Sequence, residues 1–187
     1  MPAVGARLLG DASTGAAYDV VLLAHVLFAI VALIAVIVAG VSAVSLSRPG
    51  PVPERVARYY RPGINWAGRS LVAVPVLGFA LVGMSRGEWA VTDDWVVAGL
   101  VLWVVAAALA EAVLWPTERR LQGLVRHSVT HAEAEGASGS RVGGDDGPDS
   151  AADGGEALRS LCRRTQGTAA SVAVILVAAT VVMVAKP

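Results

Sequence analysis

Charged side chains are scarce in this chain, 16% of its 187 residues, against about 25% in ordinary soluble domains. Those present cancel, fifteen basic against fifteen acidic, so no net field draws nucleic acid toward the protein. The single cysteine, Cys162, excludes an intramolecular disulfide and any multi-cysteine metal or iron–sulfur site. There is no Gly-rich phosphate loop, no nucleophile elbow and no paired-carboxylate site, which leans the reading away from an enzyme. The apolar segments lack a polar/apolar period of two, which excludes a transmembrane barrel. Collagen-like, disulfide-scaffold and coiled-coil classes fall on composition.

What the chain does have is apolar residues in blocks, 55% hydrophobic overall with mean hydropathy +0.62. The longest charge-free run, Val20 to Leu46, extends about 40 Å as a helix, enough to cross a bilayer with some tilt. Further runs lie at about 65–85, 95–115 and 166–185, the third interrupted by Glu111 and followed by Pro116, which discourages further helix. Helices are the remaining way to satisfy a backbone in lipid. The expected fold is an all-α membrane protein, a single domain built as an up-down bundle of four transmembrane helices.

Basic residues set the orientation. Arg48, Arg55, Arg58, Arg61 and Arg69 flank the first loop, and seven more arginines lie between the third and fourth spans, against only Arg7, Arg86 and Lys186 on the other side. The positive-inside rule then makes both large loops cytoplasmic and both termini external, in a bacterial plasma membrane. A cleaved signal peptide ending near Val41-Ser42-Ala43 is the rival reading of the first span, disfavoured by the length of its apolar run and by the basic cluster that follows it. Residues 133–156 hold seven of the fifteen acids among Gly, Ser and Ala, a composition that reads as a disordered cytoplasmic loop. Thr117 to Val125, and Arg55 to Tyr60, read as short helices lying on the anionic inner leaflet.

Few residues within the spans carry chemistry. His25 shares a helical face with Ala32, Ala39 and Ala43 at 100° per residue, beside a small-residue stripe Ala35, Ala39, Ala43. It therefore points into the bundle, either hydrogen-bonded to a neighbouring helix or serving as a ligand. Met84 and Met183 fall near its depth, and a His/Met set suits haem iron or a soft copper ion. Arg69 and Glu111 lie near the inner boundary and read as a structural ion pair. His127 and His131 share a helix face, but the glutamate of a metalloprotease motif is missing.

Several motifs carry a family resemblance: Leu22-Leu23-Ala24-His25-Val26-Leu27, Asp94-Trp95-Val96-Val97-Ala98-Gly99-Leu100, Leu114-Trp115-Pro116 with Arg119-Arg120-Leu121, and the terminal Val182-Met183-Val184-Ala185-Lys186-Pro187. Together they resemble an uncharacterised, domain-of-unknown-function family of bacterial four-helix membrane proteins, related to the copper-resistance-D-like group. The resemblance implies a four-helix fold and, through His25, haem or copper binding linked to copper uptake or haem metabolism. The Trp-Gly pair that commonly follows the histidine in that group is replaced here by Ala29-Ile30-Val31-Ala32, and a second intramembrane histidine is missing. The functional expectation is a non-enzymatic accessory or assembly subunit, contacting lipid and either partner subunits or its own copies. A haem- or copper-binding membrane protein built on His25 is the alternative.

Overall fold

The computed structural model describes the backbone of residues 3–48, 50, 52–60, 66–85, 87–137 and 148–185, and the side chains of 15–48, 50, 52–60, 68–85, 87–126 and 155–185. Among the described residues, all regular structure is helical. Helix α1 runs Ala3–Leu46, α2 Glu54–Tyr59, α3 Trp66–Met84, α4 Asp94–Leu109, α5 Trp115–Ala137 and α6 Pro148–Val184, with a π turn at Ala110–Leu114 joining α4 to α5.

Three stretches are long and apolar enough to cross a bilayer: Gly15–Leu46, Asp94–Arg126 and Gly155–Val184; Gly68–Met84 is a shorter apolar helix. At most 22% of the most apolar window of any of the three is buried. Their exposed faces carry Val20, Leu23 and Ile34 on α1, Val101 on α4, and Val174 and Val181 on α6. Water does not tolerate so much contiguous apolar surface, and lipid does. These are the features of a helical membrane protein.

The chain forms two compact units, residues 1–35, 65–107 and 174–187 in the first, and 36–64 and 108–173 in the second. In the first, a tight connection joins α3 to α4. The buried Ser85 hydroxyl donates to the Val82 carbonyl (2.7 Å) and accepts the Trp89 amide (3.2 Å). Gly87 turns the chain at φ 88°, a region that side chains disfavour. Asp93 then starts α4: its carbonyl takes the Val96 and Val97 amides, and its carboxylate takes the Ala90 amide at 2.9 Å. Trp89 and Trp95 meet edge to face, centroids 5.4 Å apart, across this connection.

The second unit has its own apolar core, built from Leu46, Val56, Tyr60, Leu121, Val125 and Cys162, with Tyr59, Leu158 and Leu161 packed against it. Leu121 and Val125 are buried there, which corrects the reading of the α2 and α5 segments as helices lying on the leaflet. Two amphipathic segments with facing apolar stripes bury them against each other in preference to acyl chains. Along α1, Ala32, Ala35, Ala39 and Ala43 form the buried stripe. On it a β-carbon added at Gly40 would stand 3.1 Å from Ala169 Cβ of α6, so the two backbones approach closely.

Helix also continues through Pro116, against expectation. Proline lacks the amide that an α turn needs, and its ring clashes with the carbonyl four residues back. The π turn just before it widens the coil: the Trp115 amide reaches the Ala110 carbonyl, five residues back. The Thr117 hydroxyl donates to the Val113 carbonyl at 2.6 Å, satisfying an acceptor in the loosened turn. α6 starts well before its apolar run, with Pro148 at the first helical position. Helix thus covers both ends of the stretch read as an acidic loop, whose residues 138–147 lie outside the described ones.

Candidate functional site

His25 is a titratable side chain inside the apolar stretch Gly15–Leu46. The half-buried ring, on α1, donates from Nδ1 to the Val74 carbonyl of α3 at 2.9 Å. A β-carbon added at Gly78, one turn along, would stand 3.4 Å from the ring's Cε1, so α3 offers a glycine where the imidazole lies. With the proton held on Nδ1, a neutral ring carries its lone pair on Nε2. Ligating histidines are commonly oriented in this way, one nitrogen on a backbone carbonyl and the other free for an ion.

One turn back on α3, Pro75 removes the amide that would bond the Leu71 carbonyl. The indole of Trp103 on α4 fills that vacancy, Nε1 donating to Leu71 O at 3.0 Å. Two side-chain donors on two different helices therefore converge on the backbone of α3 in the turn before its proline. In lipid no water is present to replace them.

The other ligands expected with His25 are engaged elsewhere or displaced along the helix. Met183 covers Gly99 of α4, its Cε only 2.7 Å from where a β-carbon would be. Met84 is half-buried six residues beyond Gly78, about 9 Å further along α3. Arg69 lies in the first turn of α3 in the first unit and Glu111 in the π turn of the second; both side chains are exposed, and no hydrogen bond or salt bridge to either is found among the described residues. The side chains of His127 and His131 lie outside the described residues. Cys162 is wholly buried in the second unit's core.

The second unit holds a polar cluster that the sequence did not announce. Tyr59 donates to Glu118 Oε1 at 2.6 Å, in the range of charge-assisted bonds, and Glu118 is buried. Tyr60 packs edge-on to Tyr59 with centroids 5.1 Å apart, and is itself 2% exposed. Its hydroxyl is buried with no hydrogen-bond partner among the described residues. Burial first, then the neighbouring Glu118 and Cys162, push the Tyr60 phenol well above its ordinary value. The tyrosines and Glu118 are 58 or more residues apart in sequence, so the signal that was available was weaker: an acid, Glu118, one residue past Thr117 on the amphipathic face of α5. For Trp103 a signal did exist, since an indole N–H in a span needs an acceptor and Pro75 frees one.

No family model, characterised protein or solved structure matches this chain.

Proposed function

We propose that the protein is a non-catalytic accessory or assembly subunit of a membrane complex in a bacterial plasma membrane, built as four membrane-spanning helices with both termini outside. Support for the fourth span comes from α3: its 19 residues extend about 28 Å, close to the hydrocarbon thickness of about 30 Å. Support for the orientation comes from the count of arginines, twelve in the segments 47–69 and 119–164 against Arg86 alone in the α3–α4 connection.

The observation that carries the functional reading is how His25 and Trp103 are used. Both donate to α3 backbone carbonyls, so the polar groups of the apolar segments hold the helices together, while the outward faces remain apolar and available to neighbouring helices. Purification of the full chain in mild detergent, followed by size-exclusion chromatography with light scattering, tests it. A complex of fixed stoichiometry, with a partner subunit or with further copies of the chain, is the expected result; a monodisperse monomer from membrane to column overturns it.

A second reading has its own observation, the Nε2 lone pair that the Val74 bond leaves on His25. It makes the protein a haem- or copper-binding membrane protein, as the motif resemblance implies. Met183 and Met84 are then the nearest soft ligands by sequence depth. A Soret band or stoichiometric copper in the purified protein, lost in His25→Ala, is the expected signature. A colourless, copper-free preparation that fails to take up either on addition rules this reading out.

A further inference from the structure

Beside the end of α1, α6 of the second unit carries an open groove of about 590 Å³ lined by Ser47, Glu156, Arg159 and Arg163. The lining does not belong to the His25 site or to the Tyr59–Glu118 cluster. Glu156, Arg159 and Arg163 project from α6 at spacings of three and four, which puts them within about 60° on one helix face. Ser47 comes from the turn that ends α1; its hydroxyl donates to the Val44 carbonyl at 2.8 Å and accepts from Gln166 Nε2 of α6 at 3.4 Å.

The charges in this groove are not satisfied by one another. At three residues' separation Glu156 and Arg159 are placed to pair, yet no salt bridge joins them among the described residues, and Arg159 Nε instead donates to the Gly155 carbonyl of its own helix at 3.1 Å. Arg163 is exposed, as are Arg159 and Glu156. Two guanidinium groups one helical turn apart suit the oxygens of a phosphodiester. A carboxylate with no salt bridge among the described residues, in the same groove, suits a cation attached to that phosphodiester and repels a second anion.

Location adds the third element. The groove adjoins Leu46, the last residue of one membrane-crossing stretch, and lies on α6 just before the uncharged apolar run that opens at Gly167, where a helical membrane protein meets the headgroup layer. We propose that this groove seats the headgroup of a membrane phospholipid carrying both a phosphodiester and a primary ammonium, the phosphate on Arg159 and Arg163, and the ammonium on Glu156. This inference depends on the protein lying in a bilayer and is independent of whether it serves a complex or binds a metal.

Native mass spectrometry of the delipidated full chain tests it, with phosphatidylethanolamine, phosphatidylcholine and phosphatidylglycerol of identical acyl chains added in turn. Retention of phosphatidylethanolamine is expected to exceed that of phosphatidylcholine, whose trimethylated ammonium cannot donate to Glu156. Arg159→Gln with Arg163→Gln lowers retention about tenfold or more, and Glu156→Gln shifts the preference toward phosphatidylglycerol. Equal retention of all three lipids by the unmodified chain overturns the proposal without recourse to any variant. So does displacement of bound lipid by millimolar inorganic phosphate, which would make this a site for free phosphate.

Discussion

Tyr59 and Tyr60 carry the same hydroxyl one residue apart, under opposite constraints. The Tyr59 hydroxyl satisfies a buried carboxylate, so Tyr59→Phe leaves Glu118 without that donor and costs about 1.5–3 kcal/mol. The Tyr60 hydroxyl is buried without a partner among the described residues, so Tyr60→Phe removes a desolvation penalty and leaves stability unchanged or raised. Thermal melts of both variants in one detergent check the contrast; equal losses would refute it. The same phenol gives a pH dependence. Its folded pKa lies above the unfolded value of about 10, so its contribution is full below pH 10 and is lost as pH climbs toward the folded pKa. The second unit should loosen in strong alkali, and Tyr60→Phe should blunt that loss. None of this was legible in the sequence, where Arg55 to Tyr60 read as a short helix on the inner leaflet, because a partner 59 residues away has no local signature. His25 was legible as the polar residue of an apolar run; its acceptor, the Val74 carbonyl, is backbone and so carries no residue identity to read.

At the scale of the element, α3 is a helix with a proline in its middle, held by its neighbours. Trp103→Phe strands the Leu71 carbonyl in lipid, a loss of about 0.6–1.7 kcal/mol by the measure of intramembrane hydrogen bonds. Pro75→Ala restores an amide that can close the α turn onto Leu71 itself. The cost of Trp103→Phe should therefore shrink in the Pro75→Ala background, and a double-mutant cycle of unfolding free energies reads the coupling. Additive losses would show that the indole and the proline are unrelated. The apolar cores of the helices were legible from charge-free runs, because hydropathy is a local property. Their true ends were not. α6 carries Leu158, Leu161, Cys162 and Thr165 on one side and Arg159, Arg163 and Arg164 on the other, so its helix continues as an amphipathic segment where a search for uncharged runs stops. The helix through Pro116 was hidden for a related reason, since a π turn has no propensity signal of its own.

For the whole molecule, the arrangement of arginines makes topology the decisive property. Fusion of alkaline phosphatase after Ala185 should give an active enzyme, and fusion of green fluorescent protein there a dark one, if the C-terminus lies outside; the reverse pattern inverts every assignment of side. The burial of Cys162 has a consequence for following this protein in time. The chain's one thiol is wholly enclosed in the core of the second unit, against Tyr60 and Leu121. A thiol reagent added to the native protein should therefore react only when that unit opens. The rate of modification becomes a clock for its local unfolding, silent to motions elsewhere. Cysteines introduced at any exposed position are labelled against a native background that is dark until the inner core gives way.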